Sequence, residues 1–196
     1  MKYEKFEEIK TQRLILRKIN YDDAECYYKR LSSNEDVARY MLWMPHQSQQ
    51  QTHASIEKVI FKYESGACYT WGIALQDDNS IIGRIDLLRI DEEKASCSFA
   101  YMLGKEFWGL GYGTEALKAV FNFAFEKLEI KSIIADHISE NIASGKAMQK
   151  AGMELVGSYA SKYEKCGKSY DVDEYMITFD QWDHISKEKL NVETNN

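Results

Sequence analysis

Apolar positions change their period along the chain, and the changes outline its elements. Thr11–Arg17 alternates Leu14 and Leu16 with polar neighbours, which predicts a first strand. Tyr21–Leu31 opens on Asp22 and Asp23 and carries Ala24, Tyr27, Tyr28 and Leu31 at helical spacing, so a helix is expected. A short helical turn over Asn34–Tyr40 and the apolar cluster Met41-Leu42-Trp43-Met44-Pro45-His46 follow. Gln49–Tyr63 returns to the helical period through Ile56, Val59, Ile60 and Tyr63, with Gly66 as its stop. From residue 70 the period shortens. Tyr69–Gln76, Ile81–Ile90 and Ala95–Leu103 read as strands of an antiparallel meander, joined by Asp77-Asp78-Asn79 and Asp91-Glu92-Glu93 turns. Tyr112–Leu128 is the clearest helix, with Ala116, Leu117, Val120, Phe121, Ala124 and Leu128 on one stripe. A buried strand at Ile133–Ile138 comes next. A helix from Ile142 to Ala151 ends at Gly152, and strands near Met153–Ser161 and Val172–Phe179 complete the series.

Strands and helices joined by short connections point to an α/β or α+β fold rather than a bundle. No linker is visible, so residues 1–182 are expected to form a single domain, and 183–196 a polar, frayed tail. A chain of 196 residues buries enough surface to need no metal or disulfide staple. Cys26, Cys68, Cys97 and Cys166 stand far apart without C-x-x-C spacing, which argues for free thiols in a reducing cytoplasm and no zinc site. No apolar run approaches membrane-spanning length, and the charged opening MKYEKFEEIK has no signal-peptide core. The net charge of -6 argues against sequence-independent nucleic-acid binding and mildly favours a cationic small partner.

The most informative stretch is Phe107-Trp108-Gly109-Leu110-Gly111-Tyr112-Gly113-Thr114, between a strand and the best helix. Alternate glycines let the backbone approach a ligand, and the first-turn N–H groups favour negative charge, so a diphosphate cradle is one reading and a plain tight turn the other. A nucleotide P-loop is excluded, because Thr114-Glu115 replaces the required lysine and hydroxyl. A dinucleotide-binding turn lacks its third glycine at Thr114, although Asp136 sits where a ribose-binding acid belongs. The stretch WGLGYGTEALKAVFNFAFEKL resembles the acetyl-CoA loop and helix of the GNAT N-acetyltransferase superfamily. NIASGKAMQKAGMELVG resembles that superfamily's next motif, and TQRLILRKINYDDAECYY with YMLWMP is similar to the branch acting on N-terminal amines of ribosomal proteins. The resemblance spans residues 11–182.

The resemblance implies a central mixed, mostly antiparallel twisted sheet of about seven strands flanked by helices. It implies an acetyl-CoA-dependent N-acetyltransferase, with a protein or peptide N-terminal α-amine as first acceptor. A small amine (polyamine, amino acid or antibiotic) and a non-catalytic acyl-CoA sensor are the alternatives. The expected partners are acetyl-CoA and the amine, without nucleic acid or membrane; a homodimer stays open. The diphosphate would lie on the backbone of Gly109, Leu110, Gly111, Tyr112, Gly113 and Thr114. Trp108 stands where many relatives carry Arg or Gln. The strand Ala95–Leu103 would splay from the next parallel strand, and its backbone at Met102 and Leu103 would pair with the pantetheine arm. Asn141 would bond the pantetheine amide, helix capping being the competing role, and Ser144 would donate a proton to the departing thiolate. Lys146 and Lys150 are further phosphate candidates.

The general base is where the pattern departs from the family: Ser98 stands near the position of a common glutamate. His137, at the end of its strand, is the substitute candidate, a structural histidine being the competing reading; Asp86 and Glu140 are further carboxylates near it in sequence, and His46, beside Pro45, reads as a surface-loop residue. Neutralising a lysine amine at pH 7 costs about 4.6 kcal/mol, against about 1.4 for an α-amine. A site that leaves deprotonation to water is therefore expected to prefer α-amines. The acceptor pocket is expected from the Tyr40–His46 loop, the helix from Gln49 and the strand near Tyr170–Tyr175. Met41, Trp43 and Met44 would wall it, and Glu164, Asp171 and Asp173 would attract a cation.

Overall fold

The computed structural model describes residues 6–64 and 69–193, side chains as far as Glu188. Two compact units emerge: Met1–Leu88 with Phe99–Val120, and Arg89–Ser98 with Phe121–Asn196. In the first, β1 (Ile9–Lys10), β2 (Leu14–Arg17), β3 (Tyr69–Leu75) and β4 (Ile81–Asp91) pair antiparallel in that order. Leu14 and Leu16 have 0% exposure between half-buried neighbours, the alternation their spacing predicts. β3 is buried from Tyr69 to Ala74, as a strand covered on both faces must be.

The helix expected over Tyr21–Leu31 is three short pieces: a 3-10 turn at Tyr21–Asp23, α1 (Ala24–Tyr27) and a wide π turn at Tyr28–Ser32. Its cap is Asn20, whose side chain accepts from the N–H groups of Asp22 and Asp23. The buried Asp23 carboxylate accepts from the Asn20 N–H at 2.9 Å, and Arg17 holds that carboxylate at 2.8 and 2.9 Å. α2 (Glu35–Ala38) is capped by Asn34. α3 (Gln49–Glu64) buries Thr52, Ile56 and Val59 on one face. Gly66, expected to end it, and Cys68 lie outside the described residues. β5 (Ser96–Leu103), a 3-10 turn at Lys105–Phe107 and α4 (Tyr112–Glu126) follow. The stripe on α4 is as expected: Ala116, Leu117, Val120, Phe121 and Ala124 are fully buried.

In the second unit, β6 (Ser132–Ile138) pairs parallel with the start of β5, from Ser96↔Ser132 to Ser98↔Ile134. α5 (Ile142–Lys150) leads into the hairpin of β7 (Glu154–Lys165) and β8 (Lys168–Thr178), and β8 pairs antiparallel with both β6 and β7. The sheet order is β1-β2-β3-β4-β5-β6-β8-β7, mixed and mostly antiparallel, with helices flanking it. Eight strands replace the expected seven because the two-residue β1 adds an edge. β7 and β8 also run longer than predicted. Cys166 and Gly167 (φ 52° and 72°) form a two-residue turn between strands whose tips are polar on both faces, so no alternation marked them.

The segment read as a frayed tail from residue 183 is helical: α6 covers Phe179–Glu193. Aromatic packing holds it. Phe179 and Trp182 lie 6.1 and 5.3 Å from the Phe125 ring, the Trp182 indole donates to Asn122 at 2.7 Å, and Lys187 pairs with Asp183.

Candidate functional site

Residues named from the sequence fall into two groups: Met102, Leu103 and Trp108–Thr114 in the first unit, His137, Asn141 and Ser144 in the second. α4 starts directly after the glycine turn. Gly109 and Gly111 hold φ of +75° and +86°, the left-handed region that a side chain disfavours. A Cβ at Gly109 would meet nothing within 4 Å, whereas one at Gly111 would lie 3.3 Å from Arg13 Nη2. Gly113 has an ordinary φ and packs on β5, with Tyr101 and Leu103 atoms 3.3 and 3.4 Å from any added Cβ. The Gly111 carbonyl accepts the Glu115 N–H at 3.0 Å, the first bond of the helix. Among the described residues, the N–H groups of Gly109 through Thr114 meet no protein acceptor. Six consecutive donors at the positive end of a long helix make a place for an oxyanion.

The contacts that hold this turn were missed from sequence. Arg13, on the approach to β2, donates from Nη1 to the Leu110 carbonyl at 3.0 Å and stacks 4.3 Å from the Tyr112 ring centroid. Its Nε and Nη2 both reach Glu115 Oε2 at 2.7 Å. Glu115 Oε1 accepts from the Thr11 hydroxyl at 2.6 Å and the Arg13 N–H at 2.9 Å. Burial works to raise the Glu115 carboxyl, but the bonds from Thr11 and Arg13 outweigh it and hold the group below its ordinary range. The approach to the turn is fixed as well: Lys105 pairs with Asp36 at 2.6 Å, and Arg30 contacts Glu106 at 3.4 Å. Only a fold can show that residues 11, 13 and 115 meet.

Trp108 does not present its polar edge to the turn; its indole N–H donates to the Leu103 carbonyl at 2.8 Å. Leu103 is buried, and a Cβ at Gly83 would come within 2.5 Å of both Leu103 Cδ2 and the Met102 carbonyl oxygen. The end of β5 is thus seated closely on β4.

In the second unit, Asn141 caps α5, its side-chain oxygen accepting from the Ser144 N–H at 3.3 Å. That leaves its amide N–H₂ as a donor. Ser144 is 8% exposed, while Lys146 and Lys150 lie on the outer face. His137 is 8% exposed. Its Nδ1–H donates to the Ile138 carbonyl at 2.8 Å, the ring stacks on Tyr175, and the buried Nε2 faces Gly145 without a partner.

The remaining carboxylates and His46 are engaged by neighbours. Asp86 receives both Nε and Nη2 of Arg84 and the Thr70 hydroxyl, all within 3.0 Å. Glu140 pairs with Lys168, and His46 Nδ1 meets the Thr52 hydroxyl at 2.8 Å. Burial lowers the His46 pKa. Asp136, the acid of the dinucleotide reading, bonds Lys162 and Tyr163, and that reading also fails on the antiparallel sheet. In the Tyr40–His46 loop, Met41 and Trp43 are half-buried, while Leu42 and Met44 are 63% and 59% exposed. Asp171 and Asp173 bond within the β7–β8 hairpin, to the Ser161 N–H and the Ser158 hydroxyl.

Comparison with known proteins gives a consistent result. Residues 13–154 match the acetyltransferase (GNAT) domain family. The uncharacterized N-acetyltransferase YoaA of Bacillus subtilis is 28% identical over 169 residues, covering 86% of this chain and 95% of that protein. Among solved structures, the ribosomal L7/L12 alpha-N-protein acetyltransferase RimL with coenzyme A superposes with a TM-score of 0.78 at 20% identity, covering 89% of this chain and 99% of that one. The spermidine N-acetyltransferase of Vibrio cholerae, with CoA and spermine, gives 0.75 at 18% identity over 88% and 99%. At these identities the two structures speak for the fold alone.

Proposed function

The chain belongs to the GNAT acetyltransferase family, and on that footing we propose that it carries the acetyl group of acetyl-CoA to a primary amine, foremost the N-terminal α-amine of a protein or peptide. The observation that supports coenzyme binding is the run of N–H donors from Gly109 to Thr114. The residues fit a diphosphate: the donors lack protein acceptors, two glycines hold the turn open, and the one carboxylate in the first helical turn is paired with Arg13. When bound, acetyl-CoA supplies an acetyl group already activated as a thioester. The chain's share is to bind and orient it. Asn141 would contribute its amide N–H₂, and Ser144 Oγ would hold the proton destined for the departing thiolate.

The choice of acceptor rests on what the candidate bases do. Ser98 cannot take a proton at neutral pH, Asp86 is committed to Arg84, and His137 is buried. With water as the base, an α-amine has an advantage of about 3 kcal/mol over a lysine side chain at pH 7. The proposal includes a cytoplasmic setting, in keeping with the thiols of Cys26 and Cys97.

The test is thiol release from acetyl-CoA with three acceptors: a lysine-free peptide with a free N-terminus, the same peptide N-terminally blocked and carrying one lysine, and spermidine. The free-terminus peptide is expected to turn over fastest. Faster acetylation of the lysine peptide would overturn the preference, and faster acetylation of spermidine would move the reading to polyamines. Coenzyme binding without turnover of any amine would leave an acyl-CoA sensor.

A further inference from the structure

The glycine turn cannot order itself. Gly109 and Gly111 give up more conformational freedom on folding than any other residue type would, and the turn is exposed. What orders it comes from the segment leading into β2. Arg13 is a bridge with two ends: one grips the Leu110 carbonyl, and the other forks onto Glu115, whose second oxygen is held by Thr11 and the Arg13 backbone.

We infer that Arg13 and Glu115 form a positioning strap that sets the Leu110–Gly111 peptide for diphosphate binding, an inference resting on the coenzyme reading above. A trans peptide is planar, so its C=O and N–H point in opposite directions. With the Leu110 oxygen drawn to Arg13, the Gly111 N–H must face away from Arg13. The Gly111 carbonyl is fixed in turn by the Glu115 N–H, which aims the Tyr112 N–H out of the helix end. Released from Arg13, the Leu110–Gly111 peptide can rotate and offer a carbonyl where the anion needs a donor. The strap also acts through charge. Glu115 is a carboxylate one turn from the proposed diphosphate, and Arg13 neutralises it at 2.7 Å. Trp108, its indole turned to Leu103, supplies no cation in its place.

Calorimetric titration with coenzyme A tests the strap. Arg13→Ala is expected to raise the coenzyme Kd about tenfold or more, the size of a competent fraction cut to a tenth. Arg13→Lys keeps the charge but not the fork, so it should recover only part of that loss. Arg13→Ala combined with Glu115→Ala should likewise recover the part due to the exposed carboxylate and not the part due to orientation. In turnover, the KM for acetyl-CoA rises while the KM for the acceptor and kcat at saturating coenzyme hold, a split that general damage to the fold would not give. If Arg13→Ala does not fold, Arg13→Lys carries the test. Wild-type affinity in both single variants would overturn the strap and leave the coenzyme reading standing. Failure of the wild-type protein to bind coenzyme A would overturn both.

Discussion

Replacing Gly111 with alanine isolates the backbone's contribution to the proposed site. At φ +86° an L-residue pays about 1–2 kcal/mol, and the added Cβ would lie 3.3 Å from Arg13 Nη2, the far end of a flexible side chain that can give by a few tenths of an ångström. Because the turn is exposed, the chain can relieve this strain by leaving the conformation rather than by unfolding. The cost should therefore appear as a 5- to 30-fold weaker coenzyme A affinity, with little change in melting temperature. Two neighbouring glycines calibrate the result. Gly109→Ala carries the same kind of strain at φ +75° but meets nothing within 4 Å, so its loss should be equal or smaller. Gly113→Ala has an ordinary φ, and its Cβ would point at Tyr101 and Leu103 rather than outward. Within a helix, alanine is favoured over glycine by about 1 kcal/mol, which offsets the few tenths of an ångström that the Tyr101 ring must give, so this variant should melt close to wild type and bind nearly as well. Titration of the three variants with coenzyme A, alongside thermal melts without it, decides the matter. Gly113→Ala losing as much affinity as Gly111→Ala, or Gly111→Ala binding as tightly as wild type, would refute the reasoning.

Asp86→Ala strips the half-buried Arg84 of its carboxylate and should cost about 2 kcal/mol or more, lowering the melting temperature by about 4–8 °C; the Arg84→Met, Asp86→Leu double variant should lose much less. His137→Phe keeps a ring beside Tyr175 and removes one of the two donors on the Ile138 carbonyl, which keeps the Asn141 N–H, so stability should fall by about 1 kcal/mol or less while the pH profile of kcat/KM keeps its shape. Loss of the acid limb in that variant would restore His137 as a base. The Glu115 carboxyl is held below its ordinary 4.5, so its stabilising contribution is full above that pH and disappears as pH falls through the lower folded value. Glu115→Gln should accordingly flatten the acid limb of a stability–pH curve, and an unchanged limb would contradict the bonds described. Burial pushes the Cys97 thiol up to about 12, so iodoacetamide at neutral pH should leave it unmodified in the folded protein and label it after denaturation.

The alternating strands and the apolar stripe of α4 were legible because burial imposes a period on the sequence, as at Leu14, Leu16 and Ala116–Ala124. The glycine turn was legible because residues 109, 111 and 113 sit together in the chain. Three features left no periodic trace. The tips of β7 and β8 are polar on both faces, and α6 is held by a few aromatic contacts near its start. The Arg13–Glu115 contact joins residues about a hundred positions apart, and neither residue is unusual where it stands. Chemical availability was not legible either: Asp86 and His137 are both of the right type for a base, but Asp86 is bonded to Arg84 and Thr70 and His137 is buried.

Trp108 gives the protein an optical handle. Its indole is anchored to Leu103 at the start of the glycine turn and is 41% exposed, whereas Trp71 is fully enclosed. Any rearrangement that breaks the anchor transfers that indole from a fixed carbonyl to mobile water. Its emission should shift against a constant background from Trp43, Trp71 and Trp182, so the change on coenzyme addition that disappears in Trp108→Phe reports occupancy of the turn without label or tag.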